Sequence, residues 1–163
     1  MTPMTKGRPN ITRAALAALL FLSSPVLSRA IMAPAYGDVL FNRASLTIET
    51  ANGPVLLDVE IADTDPKREQ GLMFRRSLSE NQGMIFLFGR EREITMWMKN
   101  TFIPLDMVFI GDDWRVVSIA QNAEPFSTDV ISSRRSASRV LEIGAGQAKK
   151  LGLKVGDRVS LQK

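Results

Sequence analysis

The 163-residue sequence contains no cysteine and no histidine. Without cysteine there is no disulfide, no thiolate nucleophile and no cysteine-ligated metal. Without histidine the serine–histidine triad, the imidazole general base and the ordinary zinc site are all excluded. An enzyme built from this chain would depend on carboxylates, lysine, arginine, tyrosine or hydroxyl groups. We therefore do not favour catalysis, and we expect no cofactor and no bound metal.

Acidic residues are absent from residues 1–30, which carry four of the 21 basic residues. An uninterrupted apolar run, Ala14–Leu22, follows the basic leader, and small residues fill Ser23–Ala30. This order is typical of a secretory signal peptide, with cleavage after Ala30 or Ala35. The run is shorter than the roughly 20 apolar residues that cross a bilayer. We therefore predict a periplasmic or secreted protein without a stable membrane span in its mature form, and an uncleaved anchor is the alternative.

The remainder of the chain is electrically balanced, with 17 basic and 17 acidic residues after residue 30. The formal charge of +4 therefore belongs to the predicted signal segment. Nucleic-acid binding depends on a basic surface, so we expect no nucleic-acid partner. The length suits one domain. We predict a linker or peripheral strand at 31–42, followed by a β-rich domain at 43–163 that is monomeric.

Turn signals and alternating apolar residues predict a mainly β fold. Ser45–Thr50 and Val55–Ala62 alternate on either side of Asn52-Gly53, which predicts a hairpin. Asp65 before Pro66 predicts the start of a helix, with Asp65 as its cap, that runs to about Phe74. The remaining predicted elements are six strands and one short helix: Gly83–Phe88, Ile94–Lys99, Leu105–Ile110, Trp114–Ala120, Arg139–Ile143 and Arg158–Leu161, with the helix at Gln147–Leu151.

Seven or eight short strands with two short helices predict a single-domain, mostly antiparallel β-sandwich or barrel. The stretch 121–138 has neither a helical nor a strand period. A segment of this length without regular structure is usually mobile or part of a binding rim. We expect it to contribute to a site.

The candidate site is the turn from Trp97 to Asp106. Trp97 offers a stacking surface, Lys99 and Asn100 offer donors, and Asp106 offers an acceptor. These groups suit a small polar ligand or a segment of a partner protein. The remaining candidate ligand-binding residues are Thr101, Arg68, Arg75 and Ser127. The alternative is purely structural: Lys99 pairs with Asp106, or Asp106 pairs with an arginine of the helix, while Asn100 and Thr101 serve the turn.

Two further chemistries remain open. A desolvated Lys99 could act as a base for the hydroxyl of Ser127 or Thr101, with a carboxylate assisting, in a hydrolase. Five methionines between residues 73 and 107 could offer soft ligands for Cu(I), although methionine at strand spacing is more often core.

The motifs of the central region closely resemble those of the domain of unknown function 192 family, over about Leu46 to Val159. The residues that carry the resemblance are Arg68, Gly71-Leu72-Met73, Arg75, Leu78, Gly83-Met84, Phe86, Trp97 to Thr101, Ile103-Pro104-Leu105-Asp106, Ser127, Leu141-Glu142, Gly152 and Gly156-Asp157. The resemblance implies a small β-rich domain, commonly exported or lipid-tethered, and implies no reaction. Because the chain lacks the cysteine that carries such a lipid, we expect it to be soluble in the periplasm.

Overall fold

The computed structural model of the protein describes residues 39–162. The predicted signal segment and most of the predicted linker at 31–42 lie outside the described residues. The described part forms seven strands and two short helices, in the order β1, β2, α1, β3, β4, β5, β6, α2, β7. The predicted mainly β fold is confirmed.

The first two strands form the predicted hairpin. Strand β1 (Asn42–Thr50) pairs antiparallel with β2 (Gly53–Ala62), and Thr50 lies opposite Gly53. Gly53 has a φ of 109°, a conformation that residues with a side chain rarely adopt. The Asn-Gly signal therefore located this turn correctly.

The first helix, α1 (Asp65–Gln70), is shorter than predicted. Thr64 occupies the N-cap position, so the prediction of Asp65 as the cap was wrong by one residue. Gly71, with a φ of 47°, ends the helix, because glycine adopts a positive φ readily and so lets the chain leave the helical path. The chain then turns through Phe74 (φ 64°) before the next strand begins.

The third strand, β3 (Gln82–Met96), joins two segments that the sequence predicts as separate strands. Gly89 has a φ of 73°, and the pairing register shifts between Leu87 and Arg92. A bulge bends the strand without ending it, which explains why the apolar pattern is interrupted there. The remaining elements are β4 (Leu105–Ile110), β5 (Val116–Ala123), β6 (Ile131–Gly144), α2 (Gln147–Lys150) and β7 (Arg158–Gln162).

The prediction of irregular structure at 121–138 was wrong for most of that stretch. Strand β5 continues to Ala123 and β6 begins at Ile131, so only residues 124–130 form a loop. The first half of β6 pairs with the far end of β3, where Thr95 lies opposite Ser132. Most side chains of residues 132–136 are partly or fully exposed there. A solvated ribbon needs few apolar residues, so its sequence carried no strand signal.

All seven strands belong to one mixed sheet, in the order β5-β4-β6-β3-β2-β1-β7. The β2–β3 pair is parallel, and every other pair is antiparallel. The sheet is not closed, because an isolated bridge between Arg115 and Arg158, rather than a continuous ladder, joins its β5 and β7 ends. The barrel form of the prediction was therefore wrong.

The central strands are buried on both faces, and each face has its own core. The face that packs against α2 carries Ile85, Val108 and Leu141, together with Ala148 of that helix; this is the α2-side core. The opposite face carries Met84, Met107 and Val140, together with Leu72 just after α1; this is the α1-side core. Residues that alternate along one strand therefore point into different cores.

None of the helices in residues 39–162 has both the length and the apolar character that crossing a bilayer requires.

Candidate functional site

A cavity of about 510 Å³ lies on the α1 side of the sheet. Its walls come from α1 and the turn after it, from β3 and the residues that follow it, and from Glu142 on β6. The side chain of Trp97 is 54% exposed and lies at the outer end of the lining. The cavity therefore connects a buried strand with the protein surface.

Glu142 is the buried end of this cavity. It lies on β6 between β3 and β4, directly opposite Met84 and Met107, and is only 5% exposed. Within residues 39–162 we find no hydrogen bond or ion pair to its carboxyl group. Burial raises the pKa of Glu142 from 4.5 to about 8, because the carboxylate loses its water shell. Near neutral pH the group is therefore mainly an uncharged acid, able both to donate and to accept a hydrogen bond.

Gln70 adds a second buried polar group. Its side-chain oxygen, Oε1, is buried and has no hydrogen-bond partner in the described part of the chain. Gln70 is the last residue of α1, and the following Gly71 packs closely on the Phe86 ring, so that a Cβ there would lie 3.1 Å from Cζ. This close approach holds the end of α1 against the sheet. A buried amide oxygen without a donor costs about 1–3 kcal/mol.

Aromatic and cationic side chains surround the outer half of the cavity. Arg68 and Arg92 lie over the Phe88 ring, with their guanidinium carbons 5.7 and 5.4 Å from its centre. Arg68 donates to the carbonyl of Leu87 at 2.6 Å and forms an ion pair with Asp65. Arg92 donates to the carbonyl of Glu93, and we find no ion pair for it among residues 39–162.

Three of the residues predicted for the site line this cavity: Arg68, Trp97 and Thr101. Lys99 is exposed, with Nζ 5.5 Å from the centre of the Trp97 ring. Asn100 has a φ of 57°, and its carbonyl accepts from the N–H of Phe74 at 2.9 Å. Asn100 therefore ties the turn to the α1 region.

Ser127 and Arg75 have other partners. The carbonyl of Ser127 accepts from the N–H of Met98 at 3.0 Å, and its hydroxyl accepts from the N–H of Asp129. Arg75 donates to both carboxylate oxygens of Glu60 and lies over the Phe41 ring. Both residues therefore hold neighbouring segments together.

Asp106 lies on the other face of the sheet and is fully buried. Its Oδ1 accepts from the N–H of Asn122 at 2.8 Å, and its Oδ2 accepts from the N–H of Ala148 at 2.9 Å. The hypotheses that Asp106 pairs with Lys99 or with an arginine of the helix were wrong. Its partners are two backbone groups that sequence reasoning could not assign, because they come from β5 and α2.

The contacts expected for a lysine-dependent hydrolase are not found. Within residues 39–162 the Nζ of Lys99 makes no hydrogen bond with the hydroxyl of Ser127 or Thr101, although the Thr101 hydroxyl donates to the Lys99 carbonyl at 3.4 Å. Of the methionines, Met84, Met98 and Met107 are fully buried core residues. The part of the chain that the structure describes also holds no cluster of three or more acidic side chains able to hold a metal ion.

Sequence reasoning missed Glu142 and Gln70 as site residues. The available signal for Glu142 was a single acid inside the apolar run Val140-Leu141-Glu142-Ile143, where a charged group has no solvent-facing position. For Gln70 the signal was only its place before Gly71. The burial of its oxygen depends on packing between α1 and β3, which no local pattern encodes.

The chain is similar to two solved structures along most of its length. A protein from Sinorhizobium meliloti 1021, a proposed transcription regulator, is 44% identical, with a TM-score of 0.74; the match covers 77% of this chain and 98% of that one. A protein of unknown function from Novosphingobium aromaticivorans DSM 12444 is 39% identical, with a TM-score of 0.73, and the match covers 80% and 94% of the two chains. The comparison with curated proteins gave no match.

The family model DUF192, described as an uncharacterized ACR, matches residues 46–161. The matched segment begins within β1 and ends within β7, so it contains every strand between them and every residue of the cavity. This chain therefore belongs to the DUF192 family.

Proposed function

We propose that the protein binds a small organic ligand, with a polar end and an apolar body, in the cavity between Glu142 and Trp97. The observation that carries the proposal is Glu142 itself, an acid that is 95% buried, faces a cavity and has no protein partner among the described residues.

A purely structural role explains Glu142 poorly. Burial of a carboxyl group without a partner is unfavourable, and each unit by which its pKa rises corresponds to about 1.4 kcal/mol. A methionine or leucine at position 142 would fill the α1-side core without that cost. A group that lowers stability but lines a cavity is typical of a binding or catalytic site.

The turn that carries Trp97 forms the mouth of this site. Its backbone is fixed at three points: Met98 N–H to Ser127, Phe74 N–H to Asn100, and Phe126 N–H to Thr101. These bonds hold Trp97 in place while leaving its ring exposed. Of the residues predicted from the sequence, the proposed site includes Trp97, Thr101 and Arg68. Glu142 and Gln70 also line it, although the sequence did not predict them. Asp106 is not part of it.

A ligand screen followed by thermal unfolding tests the proposal, because a ligand of the folded state raises the unfolding temperature by mass action. We expect at least one class among sugars, nucleotides, amines, amino acids and short peptides to raise it, and Glu142→Gln to remove that rise. Glu49→Gln is the matched control, because Glu49 is an exposed acid on β1. A rise that survives Glu142→Gln unchanged would place binding elsewhere and contradict the proposal.

We also propose that the protein is exported. The support is the basic, apolar and small-residue order of residues 1–30. Amino-terminal sequencing of the protein recovered from its native host should begin at Ile31 or Tyr36. Recovery of the intact amino terminus from the cytoplasm would contradict this proposal.

The transcription role proposed for the Sinorhizobium relative receives little support from the charges of this chain. Its residues after position 30 are balanced in sign, whereas nucleic-acid affinity depends largely on the neutralisation of phosphates by lysine and arginine. Absence of a mobility shift with DNA at low salt is the expected result.

A further inference from the structure

We infer that the cavity takes an aliphatic zwitterion, with an ammonium group bound by Glu142 and a carboxylate beside Arg92. This inference rests on the proposed function and specifies the class of its ligand.

Glu142 offers an acceptor to the cavity. Its carboxyl group, once ionised, can only accept hydrogen bonds. An ammonium group carries three N–H donors and a positive charge, so it can both bond to this carboxylate and neutralise it, whereas a hydroxyl group carries one donor and no charge.

The walls suit a methylene chain beside a cation. Phe86, Phe88 and Trp97 contribute rings, and Met73 and Met96 contribute flexible thioethers. Such side chains bury aliphatic carbon well, and aromatic faces attract ammonium groups.

The charged groups around the cavity come from three elements. Helix α1 contributes Asp65, Arg68 and Glu69, β3 contributes Arg92, and β6 contributes Glu142. Arg68 is held by Asp65 and by the carbonyl of Leu87, whereas Arg92 has no ion pair within residues 39–162. A ligand carboxylate therefore finds its free partner in Arg92, while the exposed Glu69 disfavours ligands with a second carboxylate.

Binding of such a ligand releases a proton. The free protein holds the acid form of Glu142 near neutral pH, because its pKa is about 8. An ammonium group stabilises the carboxylate form, so the O–H bond of Glu142 breaks on binding and the proton passes to the solvent. The ligand amine keeps its own proton, since an alkylammonium has a pKa of about 10.4. Affinity therefore rises about tenfold per pH unit between pH 6 and 7.

Titration calorimetry of the full chain with four matched probes tests the inference: 6-aminohexanoate, hexylamine, hexanoate and hexanol. We expect 6-aminohexanoate to bind best, hexylamine to bind about fivefold more weakly, and the two probes without nitrogen to show at least 50-fold weaker binding. In buffers of different ionisation enthalpy at pH 7, about one proton should be released per bound amine, since about nine tenths of Glu142 is protonated at that pH.

Substitutions separate the two ends of the ligand. Glu142→Gln should weaken both amines at least tenfold and abolish proton release. Arg92→Gln should weaken 6-aminohexanoate to the level of hexylamine and leave hexylamine unchanged. Glu49→Gln should change nothing. If Glu142→Gln does not fold, proton release by the wild type and the Arg92→Gln comparison still decide.

The outcomes distinguish this inference from the proposed function. If hexanol or hexanoate binds as tightly as hexylamine, and Glu142→Gln abolishes that binding, the ammonium assignment is overturned and the proposed function stands. Equal affinity for hexylamine and 6-aminohexanoate would overturn the role of Arg92. If none of these probes binds, but a compound of another class binds in a way that depends on Glu142, the inference is overturned and the proposed function stands. No Glu142-dependent binding of any compound would overturn both.

Discussion

Two buried acids on opposite faces of the same sheet have opposite surroundings: one is fully hydrogen-bonded and the other has no protein partner among the described residues. Asp106 lies on the α2 side, where each of its two oxygens accepts a backbone N–H. Glu142 lies on the α1 side, one strand away, and faces a cavity without a protein partner among the described residues. Both belong to central strands, and Met107, the neighbour of Asp106, is the register partner of Glu142.

The difference separates a structural acid from a candidate functional one. Asp106 fastens Asn122, which has a φ of 55°, and the short helix α2 to the sheet. Its hydrogen bonds offset the cost of its burial. Glu142 receives no such compensation, and its pKa rises in consequence. Burial alone therefore does not indicate function, whereas burial without a partner beside a cavity does.

The largest effect is expected at Asp106. Asp106→Asn puts an NH₂ group against one of two buried N–H donors, so one hydrogen bond is lost and one donor is left unsatisfied. We expect a loss of about 4 kcal/mol in the free energy of unfolding, measured by urea denaturation, with ligand affinity unchanged in the folded fraction. A loss below about 1 kcal/mol would contradict the structural role of Asp106.

Glu142 should show a pH dependence instead. The unfolded chain releases this proton near pH 4.5, and the folded protein holds it to about pH 8. The folded state therefore binds more protons across this window, and the free energy of unfolding falls as the pH rises through it. Glu142→Gln should remove this fall, so that the variant gains about 3 kcal/mol over the wild type between pH 5 and pH 8.

Urea denaturation at both pH values measures that gain, and Glu49→Gln controls for the loss of one acid. Parallel pH profiles for wild type and Glu142→Gln would show that Glu142 is not buried as an acid, and the contrast with Asp106 would disappear.

Gln70 provides a smaller test of the same contrast. Its buried oxygen makes no hydrogen bond in the described part of the chain, so Gln70→Met removes no bond and fills the same space. We expect stability to change by less than about 1 kcal/mol, in either direction. A loss of about 3 kcal/mol in urea denaturation would instead reveal a structural partner, as for Asp106.

Lys99 should show the smallest effect. It is exposed and contacts the ring of Trp97, a geometry worth about 0.5 kcal/mol at a surface. Lys99→Met should lower the free energy of unfolding by no more than that and leave ligand affinity within twofold. Loss of binding in calorimetry would place Lys99 in the site, as the sequence first suggested.

Much of the fold could be predicted where local chemistry decides it. Asn52-Gly53 located the first hairpin, and Pro66 located the start of α1 to within a residue. The first half of β6 could not be predicted, because it pairs in a solvated ribbon with the far end of β3 and carries no apolar alternation. The single strand that joins Gly83 to Met96 could not be predicted either, since its bulge at Gly89 looks locally like a turn.

The site was only partly predictable for a similar reason. Trp97 and Thr101 stand out as polar and aromatic residues on one turn, and both line the cavity. Asp106 stands out equally, but its face of the sheet depends on strand register. Glu142 is distant in sequence, and only the placement of β6 between β3 and β4 brings it beneath that turn.

The parallel pairing of β2 with β3 has a consequence for how such a pocket can arise. Two antiparallel strands can be joined by a tight hairpin that covers none of the sheet. Two parallel strands need a crossover connection that runs back along the sheet, as between β2 and β3. Here the crossover between Ala62 and Gln82 contains α1 and the turn after it, and these cover one face of the sheet. Exchange of this crossover between relatives would change the shape of the cavity without changing the sheet. The crossover is therefore the segment to replace in order to engineer a new specificity.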